Sequence, residues 1–546
     1  MTQRAAQRLP RVALLLFCAA YVLPGLFGRD PWKNADITAF GYMVNVADGH
    51  SPWFAPSVAG LLSDGALLPY WLGAVFVKFL GPWFGPAVAA RIPFALLLVL
   101  ALVLTWYSTY YLARSDAAQP LPFAFGGEAD PIDYARAIAD GALLALIASL
   151  GLLQLGHETT PELAQLASVS LFLYAMSATA LRGIQARLAV MLALPALAAS
   201  GAPSIALALG VAGTLVCRFS TYESARSFAP WVFVSSALAI IVAWLLHAWG
   251  WRLDSYRSAA QVVATMKELA WFLWPAWPLA CWTLWRWRQH LLDRHMTVPL
   301  SCALVAVFAC IAMGGWDRAL MLALPPLAVL AAFALPTLQR STAAAIDWFS
   351  VFFFSGCALA IWVIYIAMQT GVPRQPAANV ARLAAGFVPR FSLLAVIVAA
   401  AGTLAWMWLV KWRTGRHRHP LWKSLVLPAS GVALCWLLLM TLWLPLLDYA
   451  RSYRPLVERV AQHVPRSACV LAQGLPRGQL VALEHLGGYK VDAVSPISAG
   501  TCPYLLQSEA RLRPRAASPG WQLVARERRP TDNEDVTAIY RRVDAR

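Results

Sequence analysis

Charge is what this sequence has least of: Asp, Glu, Lys and Arg make up 13% of its 546 residues, about half the share usual in soluble domains, while 60% are hydrophobic. A soluble globular protein is excluded. Low-complexity tracts and solenoid-length repeats are missing, which removes disordered, collagen-like and repeat architectures. Missing too are a Walker A loop, a GxSxG elbow and a GxGxxG ahead of a strand, and with them nucleotide-driven pumping and hydrolase readings. Cysteines number nine, and seven of them (Cys18, Cys217, Cys281, Cys302, Cys310, Cys357, Cys435) lie in apolar runs, where a thiol is a small hydrophobe. Cys469 and Cys502 share the C-terminal segment, where one disulfide is open to them in an oxidising compartment.

The apolar residues gather instead in runs of about twenty, broken by short Arg-rich connectors, the pattern of a polytopic bundle of membrane helices. Thirteen spans are expected, near 11–27, 91–112, 140–156, 162–181, 188–200, 203–217, 228–249, 269–285, 298–314, 318–338, 345–369, 390–410 and 424–446. The two around Gly201 and Pro203 are short enough for half-helices. Arg4, Arg8 and Arg11 precede the first, which lacks a small-x-small cleavage site and reads as an uncleaved span. A net charge of +17 does not point to nucleic acid: apart from fifteen Lys and Arg after residue 446, the basic residues sit mainly in connectors. Connectors on the N-terminal side, including Lys411, Arg413, Arg416, Arg418 and Lys423, carry about twice the Lys and Arg of those opposite. That bias puts the N-terminus in the cytoplasm and the tail outside.

The first outer loop then runs from about 28 to 90. Asp36 opens a helix with Ile37, Phe40, Val44 and Ala47 on one stripe, and 66–82 is expected along the outer interface, with Tyr70, Trp71 and Trp83 at headgroup level. After residue 446 charge rises, and helical patterns (452–463, 478–486) alternate with strand-like ACVLAQ, TCPYLLQ, WQLVAR and TAIYRRV, which suits a small α/β domain.

Acidic residues beside a bilayer are costly unless partnered or functional. Asp36, Asp64, Glu158 and Glu162 qualify, although an acid at a helix start is also ordinary capping chemistry. Arg318 lies at the outer end of a span beside Asp317, where it either holds a lipid phosphate or pairs with that neighbour. His157 in HETTP lacks the second His of a zinc-protease motif and reads as solvated loop. His247, near Trp249 and Trp251, reads as a metal ligand or, more simply, as an aromatic-belt residue.

Taken together, NADITAFGYMVNVADGHSPWF (34–54), SDGALLPYWLGAVFVKFLGP (63–82) followed by AVAARIPFAL, TTPELAQLASVSLFLYA (159–175) and DRALMLALPPLAVL (317–330) resemble motifs of the GT-C superfamily of membrane glycosyltransferases. The likeness is to the bacterial lipid A aminoarabinose transferases and, more distantly, to the protein O-mannosyltransferases. It implies an all-α polytopic membrane domain (1–446) with interfacial helices in the first loop, and a periplasmic C-terminal α/β domain (447–546). The implied function is inverting transfer of a sugar from polyprenyl (undecaprenyl) phosphate to lipid A or another envelope acceptor at the bacterial inner membrane, in contact with membrane lipids. By carry-over, Asp36 and Glu162 are catalytic acids, Asp64 and Arg318 bind substrate with Tyr70 and Lys33, and Asp64, with His247, is a candidate ligand for a divalent metal. Ile37, Gly65 and Ala319 depart from the family pattern, which has an acid, a phosphate-binding Lys and a Tyr there; Arg318, Lys78 or Lys33 would replace the missing Lys. A protein O-glycosyltransferase, a non-catalytic scaffold and a transporter are the alternatives.

Overall fold

The computed structural model describes residues 6–119, 129–250, 253–256, 258–414, 421–498, 500–510, 519–532 and 535–543; Arg4, Trp251, Arg416 and Arg418 lie outside the described residues. The chain opens with α1 (Arg11–Val22), α2 (Ala35–Ala47), a ribbon of β1 (Ser57–Val58) and β2 (Leu61–Leu62), α3 (Leu67–Phe84) and α4 (Pro86–Ala113). There follow α5 (Pro131–Ala148), α6 (Leu150–Leu155), α7 (Pro161–Ala178), α8 (Gly183–Ala199), α9 (Pro203–Arg218), α10 (Glu223–Arg226) and α11 (Ala229–Leu245). The second half adds α12 (Ala259–Phe272), α13 (Ala276–Arg286), α14 (Arg294–Ala312), α15 (Asp317–Leu320), α16 (Leu324–Ala332), α17 (Arg340–Thr370), α18 (Arg374–Leu383), α19 (Leu393–Thr414), α20 (Lys423–Leu439) and α21 (Leu444–Arg451).

Each of the thirteen expected spans therefore has a helix at its place. By length and composition, seven helical stretches among the described residues are able to cross a membrane, or eight if α20 and α21, bent by 73°, form one span. α1, α8 and α9 are shorter apolar helices, and α8 and α9 meet across a turn at Gly201, whose φ of +85° suits glycine. α3, expected along the interface, also meets the criterion of a span, with the lowest mean hydropathy of the seven, 1.3. The chain is a multi-pass membrane protein. Its centre is the stretch Asp317–Thr337, 89% buried, and its rim is α19, 11% buried, so the former packs on protein all round and the latter faces lipid.

After residue 451 come α22 (Arg454–Val460), β3 (Cys469–Leu471), α23 (Arg477–His485), β4 (Lys490–Asp492), β5 (Tyr504–Ala510), β6 (Trp521–Glu527) and β7 (Asp535–Arg542). The strands form one mixed sheet, β4-β3-β5-β7-β6, in which β3 runs parallel to β4 and β5 while β7 pairs antiparallel with β5 and β6. A disulfide joins Cys469 to Cys502. Four of the five strands coincide with the apolar runs read from sequence; β4 is a polar three-residue Lys-Val-Asp run with no such signal.

α2 differs from its expected place on the outer interface. Residues on every side of it are buried, because α3 covers one flank and α23 another. A Cβ at Gly73 would come within 2.2 Å of Met43, and one at Gly41 within 2.4 Å of Val481, so both helices approach α2 where glycine leaves room. Edge contacts extend the docking: Ala493 donates to the Ala59 carbonyl at 3.3 Å, and the Ala59 N–H donates to Glu484 at 3.1 Å. The sheet domain thus sits directly on the loop that carries Asp36. Gly41→Leu is expected to separate them at a cost of about 1–3 kcal/mol, measured on the full chain as a lower melting temperature with new protease cleavage beyond residue 451.

Candidate functional site

Asp36 lies in the first turn of α2, and its side chain is completely shielded from solvent. One carboxylate oxygen accepts from Arg29 Nη1 at 3.0 Å and from the Trp32 N–H at 2.9 Å; the other accepts from the Thr159 N–H and hydroxyl, both at 2.7 Å. Arg29 is itself held by the carbonyls of Gly25, at 2.8 Å, and His157, at 2.6 Å. Burial pushes the Asp36 pKa up, but Arg29, Arg91 and the two backbone N–H groups outweigh it and hold the carboxyl below the ordinary range. Asp36 is an ionised, fully coordinated anchor.

The segment His157–Glu162 carries this anchor to a second ion pair. Thr159 binds Asp36, and the next residue, Thr160, accepts from Arg318 Nη1 at 3.2 Å. Arg318 Nη2 reaches Glu158 at 2.6 Å, and its Nη1 stands 3.7 Å from Glu162, so this arginine pairs across the bundle rather than with Asp317. Gln154 donates to the remaining Glu158 oxygen at 2.9 Å. Burial lifts the Glu158 pKa above the ordinary range, Arg318 opposes it and the Asp36 charge adds to it. Glu162 differs from both: its Oε2 is buried with no hydrogen bond among the described residues. Pro161 starts α7 and places Glu162 in its first turn.

A third strand of contacts arrives from the far end of the bundle. Asp448 of α21 accepts from the Asp30 N–H at 2.9 Å and from the Trp32 indole at 3.1 Å, while Arg454 grips Asp30 through two donors at 2.6 and 2.8 Å. The guanidinium carbons of Arg29 and Arg451 lie 4.5 and 5.2 Å from the Trp32 ring centre. Arg451 makes no hydrogen bond or ion pair through its guanidinium among the described residues, which leaves that cation available beside the acids.

The structure brings Asp36, Glu158, Glu162 and Arg318 together as the sequence suggested, and sets the others apart. Asp64 is half open to solvent and bound to Arg477 of the sheet domain at 2.7 Å. Tyr70, expected at headgroup level and against substrate, is buried with its ring 5.1 Å from that of Tyr42. Lys33 and Lys78 are exposed, and the Lys33 N–H donates to the Arg451 carbonyl at 3.0 Å. His157 is no solvated-loop residue: it packs against Trp436 at 4.5 Å, both ring nitrogens face carbonyls, and burial lowers its pKa to about 4. His247 is exposed, with a left-handed φ of 49°. Gly65 gives a reason for its own departure: at φ +82° a Cβ would be strained and would come within 3.1 Å of the Ala248 backbone, so a lysine there is disfavoured. Sequence reasoning did not find Arg29, Thr159 or Arg451; an arginine on an outer connector, against the charge bias, was the one available signal for Arg29. The residues expected to hold a divalent metal do not fit one: among the described residues no group of three His, Cys, Asp or Glu side chains is placed to hold a metal ion, and Asp64 is engaged by Arg477.

Beside the cluster, one turn beyond Glu162 on α7 and one residue beyond Arg318, lies an apolar cavity of about 540 Å³. Gln165, Ile205, Leu253, Leu304, Phe308 and Ala319 are among its walls.

No protein-family model matches the chain, and no curated protein does. Among solved structures, ArnT from Cupriavidus metallidurans bound to undecaprenyl phosphate superposes with a TM-score of 0.60 at 14% identity, over 97% of this chain and 96% of that one. The apo form of the same protein gives 0.57 at 15% over the same shares. This chain therefore shares the fold of that protein over nearly its whole length.

Breaking a buried ion pair leaves an uncompensated charge, so Asp36→Asn is expected to cost about 3–5 kcal/mol of stability at neutral pH. Because the folded-state pKa of Asp36 is depressed, its contribution is complete above the ordinary carboxylate range and fades as pH falls through the folded value. Melting curves of wild type and Asp36→Asn are accordingly expected to converge in acid and diverge toward neutrality.

Proposed function

We propose that this protein is a membrane glycosyltransferase that takes its sugar from a polyprenyl phosphate and delivers it to a nucleophile at the membrane surface on the side of the sheet domain. The observation that carries this reading is the adjacency of Arg318, ion-paired but reachable, to an apolar cavity of about 540 Å³ within the membrane bundle. A lipid-linked phosphate needs both at once, a cation for its headgroup and an apolar wall for its chain. The fold shared with ArnT bound to undecaprenyl phosphate supports the same donor class. Undecaprenyl phosphate at the bacterial inner membrane, with lipid A or another envelope glycan as acceptor and the sheet domain in the periplasm, is the specific form of the proposal.

The chemistry follows from which groups are free. The acceptor nucleophile attacks the anomeric carbon from the face opposite the phosphate; its bond to carbon forms as the carbon–oxygen bond to phosphate breaks, and configuration inverts. Glu162, whose Oε2 accepts no hydrogen bond among the described residues and stands 3.7 Å from Arg318, receives the acceptor proton, a step typically worth about 10²–10⁴-fold. Arg318 and Arg451 take up the charge that develops on the departing polyprenyl phosphate, in a site where charge-assisted bonds are strong. Asp36, with every lone pair taken, positions Arg29 and the Thr159 segment instead of moving a proton.

Transfer of radiolabelled sugar from polyprenyl-phosphate donors to membrane acceptors tests the assignment. Glu162→Gln is expected to lose at least about 10²-fold in kcat while the full chain stays folded by its melting curve. Arg318→Ala is expected to lose activity of the same order, with a raised KM for the donor. Full activity in Glu162→Gln would remove it as the base, and activity with a nucleotide sugar but not a lipid-linked one would overturn the donor class.

A further inference from the structure

α18 and its flanks form the connector 371–392 between α17 and α19, the two candidate spans least buried by protein. Both ends of this connector are therefore fixed at the level where lipid begins. It lies at the same end of the bundle as the acidic cluster, because the Tyr449 hydroxyl donates to the Ala385 carbonyl at 2.8 Å and the Phe387 and Tyr449 rings lie 5.6 Å apart. Tyr449 follows Asp448, the residue that holds Trp32 beside Asp36.

Two features of this connector stand out together. It carries Arg374, Arg382 and Arg390, and no acidic residue occurs between Asp347 and Asp448. All three arginines are exposed, and none makes an ion pair among the described residues; Arg382 reaches Asn379 at 3.3 Å. Val372, Leu383, Val388 and Phe391 also project outward, each about two-thirds exposed or more. Three unpaired arginines on this face run against the charge bias of the rest of the chain. Exposed apolar side chains between them are unsuited to a purely aqueous surface. An anionic lipid satisfies both, its headgroup against the guanidiniums and its acyl region under the apolar side chains.

We infer that the 371–392 connector is a docking surface for anionic lipid headgroups of the leaflet that faces the candidate site. Lipids gathered there stand at the rim of the site, with α21 as the shared support. The surface serves a lipid substrate or a boundary lipid alike, and it does not depend on the transfer reaction.

Photolabelling of the full chain in phosphatidylcholine vesicles containing a minority of phosphatidylglycerol tests this directly. Trace phosphatidylcholine or phosphatidylglycerol carrying a headgroup-proximal diazirine is added, and labelled peptides are mapped. The phosphatidylglycerol probe is expected to label 371–392 about threefold or more above the phosphatidylcholine probe. The triple variant R374Q/R382Q/R390Q is expected to abolish that preference while labelling within α19 and the melting temperature stay unchanged. Equal labelling by the two probes in wild type, a preference that survives in the triple variant, or failure of either probe to reach the connector would each overturn the inference. None of these readouts needs sugar transfer, so the result stands apart from the fate of the proposed activity.

Discussion

An arginine buried beside a bilayer must be neutralised where it stands, and in this protein that need is met by Asp36. Arg29 and Asp36 are both shielded from solvent, so each depends on the other and on every remaining donor and acceptor being matched. The matching is what builds the site. Arg29 draws in the carbonyls of Gly25 and His157, Asp36 draws in Trp32 and Thr159, and the chain on either side of Thr159 then has one position available to it. Thr160, Glu158 and Glu162 follow from that placement, and they receive Arg318 from the centre of the bundle. A half-matched network of this kind would cost more than an apolar core of the same shape, which is why so many backbone groups take part.

The same constraint accounts for the sheet domain. The loop from residue 29 to 34 has no regular structure to hold it, and much of its rigidity comes from Asp448 and Arg454, more than four hundred residues away. α23 closes over α2 from the other side, and Arg477 takes Asp64, a first-loop acid that stays out of the cluster. The domain is thus a buttress for the segment that carries the buried pair. A mixed sheet pinned by Cys469–Cys502 is a firm base for that task.

Much of this was legible in the sequence, and the limits have physical causes. Apolar run length located the helices, because the bilayer fixes the span a helix needs. Costly acids at one end of the spans located Asp36, Glu158 and Glu162, and Arg318 was visible as a guanidinium at a span end. Local pattern could not reveal partners brought together by tertiary packing: Thr159 with Asp36, Arg477 with Asp64, and Asp448 with Trp32 are separated by 123, 413 and 416 residues. Tyr70 misled because an aromatic at an apparent interface reads the same whether it meets headgroups or another ring. Gly65 read as a lost lysine, whereas the left-handed backbone and the close Ala248 there disfavour any side chain. The proposal assigns Asp36 a positioning role instead, since sequence marks a carboxylate without showing how many of its lone pairs are already taken.

The account stands on a lipid phosphate being held at Arg318 next to the buried pair. Equilibrium binding of radiolabelled undecaprenyl phosphate to the purified full chain in lipid nanodiscs measures this without requiring turnover. Saturable binding that weakens about tenfold or more in Arg318→Ala, and persists in Glu162→Gln, is the expected result. Absence of saturable binding, or binding indifferent to Arg318, would contradict it.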